Sequence, residues 1–281
     1  MIEALQFEFM RNALLAGLLT SIACGIIGTL VVVNRIVFIS GGIAHAAYGG
    51  VGLAFFLGIP PLVGATGFSL LISAIMAIVT LKNKQRADTI VGVLWAVGMA
   101  LGIILVDLSS GYNVDLMSYL FGSILAVPRS DLLMMLVVDL IVLVGVFSFY
   151  NSFLAMSFDE EFAVAAGVPV KPLYFALLAI MAFVVVMVIR VVGLILVIAL
   201  LTIPPFIAER YSESLRGMMV LSVILSSIFT FAGLWLSYLF NLTSGATIIM
   251  VAALVFFASL LLERIRGKAR RGSHAAAREL P

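Results

Sequence analysis

The chain has 281 residues, of which 64% are apolar and only 11% charged, with a net charge of +2 and a mean hydropathy of +1.27. Soluble domains carry about 45–50% apolar and about 25% charged residues, so a water-exposed surface cannot be assembled from the charges present. This composition excludes a soluble enzyme, offers no reason to expect a nucleic-acid partner, and calls for an all-α, polytopic membrane helix bundle in contact with membrane lipid.

A hydrocarbon core of ~30 Å takes about 20 apolar residues per helix. Runs of that kind fall at 10–33, 37–58, 60–81, 88–108, 131–150, 172–189, 191–207, 215–239 and 245–263, which makes nine spans. The piece 118–127 is too short to cross and is expected as a re-entrant helix whose ends are buried by protein. Near the N-terminus stand Glu3 and Glu8, without the basic segment and cleavage site of a signal peptide, so the first apolar run is expected to remain as a span. The break between spans six and seven is placed near Arg190. The lone Cys24 rules out an intrachain disulfide.

Alternation of the spans sorts the cations. One side receives Arg35, Lys82, Lys84, Arg86, Lys171, Arg210, Arg216, Arg264, Arg266, Lys268, Arg270, Arg271 and Arg278, and the other only Arg11, Arg129 and Arg190. By the positive-inside rule the first side is cytoplasmic, with the N-terminus outside and the C-terminus inside. The domain plan is a transmembrane domain, 1–263, followed by a basic cytoplasmic tail, 264–281, expected to be loosely ordered near anionic headgroups.

Small residues at spacing four run along span one (Ala13, Gly17, Ser21, Gly25, Thr29) and span two (Gly42, Ala46, Gly50, Ala54, Gly58). In lipid such stripes let helix backbones approach closely. Span two also crowds Gly41, Gly42, Gly49, Gly50 and Gly52 together, which reads either as very close packing or as a helix that bends during a cycle.

His45 is the only histidine in the hydrophobic part. It reads either as a neutral ring donating one hydrogen bond to a neighbouring helix or as a ligand for a transition metal. Asp139 lies near the middle of span five and needs a partner, a proton or a cation. Asp107 and Asp115 lie near outer ends. Asp88 and Asp131 read as helix-start carboxylates. Asp159, Glu160 and Glu161 form an acidic run on a cytoplasmic loop. No phosphate-binding G-x-x-x-x-G-K-[ST] loop, H-E-x-x-H pair or catalytic triad pattern is present, so an enzyme is not expected and ATP must be hydrolysed elsewhere.

Six segments in order resemble the permease family of bacterial zinc, manganese and iron ABC importers. They are GTLVVVNRIVFISGGIAHAAYGGVGLAFFLGI (28–59), ADTIVGVLWAVGMALGI (87–103), VDLMSYLFGSILAV (114–127), FDEEFAVAAGV (158–168), VVGLILVIALLTIPPFIAER (191–210) and SGATIIMVAAL (244–254). The zinc branch resembles them most, chiefly through VDLMSYLFG. The resemblance implies a multi-pass protein of the bacterial inner membrane that moves a divalent metal, zinc or manganese, with no permanently bound cofactor. Its implied partners are a second copy of itself, a cytoplasmic ABC ATPase subunit and an extracytoplasmic metal-binding protein. It implies that FDEEFAVAAGV docks on the ATPase through Asp159, Glu160, Glu161 and the Ala165–Gly167 turn. The family carries an acidic residue one turn before the histidine, where this chain has Gly41, so either Asp107, Asp115 or Asp139 from another span completes a site with His45 or the path binds its ion only transiently. A related permease for siderophores or corrinoids, and a stand-alone secondary transporter built from inverted repeats, are the rival readings.

Overall fold

The computed structural model describes residues 6–82, 86–109 and 124–276, and every regular element among them is helical. The helices are α1 (Glu8–Val33), α2 (Val37–Leu57), α3 (Pro61–Lys82), α4 (Ala87–Asp107), α5 (Arg129–Ser148), α6 (Tyr150–Phe158), α7 (Glu160–Ala165), α8 (Val170–Val192), α9 (Leu194–Tyr211), α10 (Leu215–Phe240) and α11 (Ser244–Ala276). Nine of these, all but α6 and α7, are long and apolar enough to cross a bilayer, as the hydropathy runs anticipate. Most of the expected re-entrant helix 118–127 lies outside the described residues; Ile124–Ala126 forms one 3₁₀ turn, with Ile124 buried. Helix α11 is described through Ala276, beyond the end of the apolar run.

Local chemistry sets the helix ends. Gly58, at φ 67°, closes α2 in the left-handed region, and Pro60–Pro61 then starts α3, where a missing N–H costs nothing. A single residue, Gly193 at φ 83°, separates α8 from α9. The break therefore falls three residues beyond Arg190, at the one residue type that adopts this backbone freely. Ser214 caps α10 by accepting the Gly217 N–H at 3.1 Å, and Asn241, at φ 52°, ends it.

Packing follows the small stripes. Along α1 the stripe faces α10: a Cβ at Gly17 would lie 2.5 Å from Thr230 Cγ2, and one at Gly25 would lie 2.7 Å from the Val223 backbone nitrogen. Thr29 Oγ1 donates to its own Gly25 carbonyl at 2.7 Å and meets Ser222 Oγ of α10 at 3.2 Å, a polar contact across this seam. Helix α2 is held between α3 and α4. Burial grades the bundle: 78% of the spanning window of α2 is enclosed against 17% for α4, which places α4 outermost. Helix α4 nevertheless lies against α2 for most of its length.

The two ends of the bundle differ in chemistry. At one, Asn34, Arg35, Asp88, Glu160 and Tyr174 line a cavity of about 320 Å³. At the other, Pro60, Pro61, Tyr48 and Arg190 line one of about 200 Å³. There, too, Arg190 Nε donates to Asp131 Oδ2 at 3.0 Å. Asp131 sits in the first turn of α5, as read from the sequence, but it is not the N-cap residue, which is Pro128, and its side chain pairs with a cation on α8. A carboxylate with 7% side-chain exposure needs a charged partner more than a helix start needs a carboxylate.

Candidate functional site

His45 occupies the middle of α2. The elements that position it are α2 and α4, brought together by residues without bulk. A Cβ on Gly98 of α4 would lie 2.9 Å from Ala46 Cα, and one on Gly102 would lie 2.6 Å from the Tyr48 carbonyl oxygen. With backbones this close, the side chains between them must lie flat. The His45 imidazole rests on the Trp95 indole with ring centroids 3.9 Å apart and planes 14° from parallel. Trp95 Nε1–H donates to Met99 Sδ one turn on, at 3.2 Å, and Phe38 stands beside the indole at 6.1 Å. His45 is half-buried. Its Nδ1 is enclosed and has no hydrogen-bond partner among the described residues, so the reading in which that atom bonds a neighbouring helix has no counterpart in the structure.

Of the carboxylates expected to join His45, the two among the described residues, Asp107 and Asp139, stay apart from it. Asp107 is the exposed last residue of α4, twelve residues past Trp95 and so roughly 18 Å along the helix axis. Asp139 is on α5, which packs against α1 and α8 rather than α2. It is 3% exposed, and its Oδ2 has no partner among the described residues. Asp115 lies outside the described residues. Among those described, no three His, Cys, Asp or Glu side chains are grouped as a metal centre. The position one turn before His45 has room, because a Cβ on Gly41 would meet only Ile198 Cδ1, at 3.9 Å.

The acidic run forms a second feature, helical rather than a loop. Asp159 separates α6 from α7, and its Oδ1 accepts the Phe162 N–H at 2.9 Å, which caps α7. Gly167, at φ 81°, turns the chain back toward α8. Ala163 is fully buried and anchors the turn, while Phe158, Phe162 and Val164 are 71%, 66% and 59% exposed. Glu161, Ala165 and Gly167 are exposed as well, and Glu160 is half-buried. Sequence reading singled out the acids of this segment and passed over its two phenylalanines. Their spacing of four residues beside a polar run was the available signal.

Comparison with known proteins now bears on these features. A family profile described as the ABC 3 transport family matches residues 6–263. The chain belongs to this family. An uncharacterized membrane protein of Synechocystis is 52% identical over 94% of both chains. The manganese transport system membrane protein MntC of Listeria monocytogenes is 33% identical, again over 94% of both. Among solved structures, PsaBC from Streptococcus pneumoniae in complex with Fab superposes with a TM-score of 0.82 at 34% identity, covering 92% of this chain and 93% of that one. Membership in the ABC 3 family makes the chain a multi-pass protein of the bacterial inner membrane and accounts for the nine apolar helices.

Proposed function

We propose that this ABC 3 chain is the permease subunit of an importer that carries a divalent transition-metal ion through the membrane, with His45 as a ligand on the path. The observation that carries the reading is the imidazole held at mid-span between two closely apposed helices, with an enclosed Nδ1 that has no hydrogen-bond partner among the described residues. An ionisable side chain is costly inside a span and persists where it serves a path or a partner. Manganese stands ahead of zinc as the cargo, because the relative named above by its metal belongs to a manganese system at 33% identity, although VDLMSYLFG resembles the zinc branch.

The remaining parts follow from what this chain lacks. One imidazole binds a metal weakly, and no carboxylate among the described residues is grouped with it as a metal centre, so a second copy contributing its own His45 would complete the ligand set. The chain has no phosphate-binding loop, so a separate ATPase supplies the energy, and an extracytoplasmic protein delivers the metal. The cation bias puts the end bearing α7 in the cytoplasm, with the N-terminus outside and the C-terminus inside. The ATPase then meets Asp159, Glu160 and Glu161 around an apolar centre of Phe158, Phe162 and Val164.

The test is metal uptake by cells whose only importer contains this chain. Replacing His45→Gln keeps hydrogen-bonding capacity but removes a good transition-metal ligand, and uptake of radioactive manganese at limiting concentration should fall at least tenfold at equal protein level. Gly41→Asp, for which there is room, should tighten binding, since two ligands one turn apart face the same ion. Normal uptake by His45→Gln over the whole limiting range removes His45 from the path.

A further inference from the structure

A ring that binds a divalent cation becomes positive, and positive charge among apolar helices is costly unless something of opposite polarity faces it. Helix α2 carries no acidic residue, and those of α4, Asp88 and Asp107, lie near its two ends, roughly 10 and 18 Å from Trp95 along the axis. What faces His45 is the negative π face of an indole. Indole is the best aromatic partner for a cation, and the 3.9 Å centroid separation is well inside the ≈ 6 Å range of that attraction. The indole is itself held: its N–H is engaged by Met99 Sδ, and Phe38 closes one side.

We propose that Trp95 is a positioning residue for His45, holding the imidazole in one plane and stabilising the charge it acquires when it binds a divalent metal ion. It thereby offsets positive charge without supplying a ligand atom of its own. The proposal rests on the reading of His45 as a metal ligand. The geometry distinguishes it from generic packing, because a bulky apolar residue fills the space equally well but offers no π face.

The experiment uses the full chain purified in detergent. The chain has two tryptophans, so Trp235→Phe leaves Trp95 as the sole indole. Paramagnetic Mn²⁺ should quench its fluorescence saturably, Mg²⁺ should not, and the quench should vanish when His45→Ala is added. Equilibrium dialysis with radioactive Mn²⁺ then compares side chains at position 95. Trp95→Met, similar in bulk but without a ring, should weaken binding about 2- to 30-fold, and Trp95→Phe should recover most of the loss. Absence of Trp95 quenching at saturating Mn²⁺ overturns the proposal. So does a Trp95→Met chain that binds Mn²⁺ like the parent, or Met and Phe variants equally weak, either of which makes Trp95 a packing residue while leaving His45 a ligand. Unchanged Mn²⁺ binding by His45→Ala overturns the ligand reading itself.

Discussion

Gly50 gives the sharpest check on the packing of α2, because a single methyl group there has nowhere to go. A Cβ at Gly50 would lie 2.7 Å from Phe68 Cβ and 2.8 Å from Ala65 Cα, and closer still to the Gly64 carbonyl. Ordinary carbon contacts are about 3.5–4.0 Å. Two of these neighbours are backbone atoms, so rotamer changes cannot relieve the clash and α3 must move off α2 by about 1 Å. A gap of that size forfeits a quarter to a half of the dispersion attraction along the seam, and overpacking of this kind costs about 1–3 kcal/mol. The control is Gly67, on α3, where an added Cβ meets nothing within 4 Å. Both substitutions to Ala relieve the same helix penalty of about 1 kcal/mol, so that contribution cancels in the comparison. Melting of the two variants in detergent, followed by the loss of monodisperse protein, should place Gly50→Ala several degrees below Gly67→Ala, at about 2–4 °C per kcal/mol. Equal melting temperatures would refute the close α2–α3 approach. Gly50→Leu extends the series and should impair folding outright.

Two more outcomes test the ends of the bundle. Arg190→Gln leaves Asp131 buried without its cation and should cost about 1–3 kcal/mol, moderated by the 40% side-chain exposure of the arginine. Adding Asp131→Asn should recover part of the loss, and a single variant as stable as the parent would show the pair to be idle. Asp159→Ala removes the cap of α7 and should cost about 1 kcal/mol, seen as faster hydrogen exchange at the Phe162 amide. Asp159→Asn should retain the protection, and unchanged exchange in Asp159→Ala shows the cap to be dispensable.

Much of the bundle is legible along the chain because a span is a local property. The length and hydropathy of each run settle its existence without reference to its neighbours, and the stripes of Gly, Ala, Ser and Thr announce which faces will be close-packed. The break expected near Arg190 falls three residues on, at Gly193, where the backbone takes a positive φ. The candidate site was legible only in its central residue. His45 stands out as the one histidine in the apolar part, but nothing in the spacing of residues 45 and 95 says that their rings stack.

The sequence by itself determined the solvent of this protein, the number of its apolar helices long enough to cross a membrane and the one histidine among them, all of which follow from composition and from runs of about 20 residues. Tertiary structure alone decided the partners. It laid Trp95 rather than a carboxylate against His45, gave Arg190 to Asp131, left Asp139 enclosed on a helix remote from α2, and turned Phe158 and Phe162 outward beside the acids. The reason is physical. Apolar helices in lipid gain little from any one apolar contact over another, so partner choice rests on how closely backbones approach and in which register. That register is set by small residues on helices far apart in the chain, and it exists only once the helices have met.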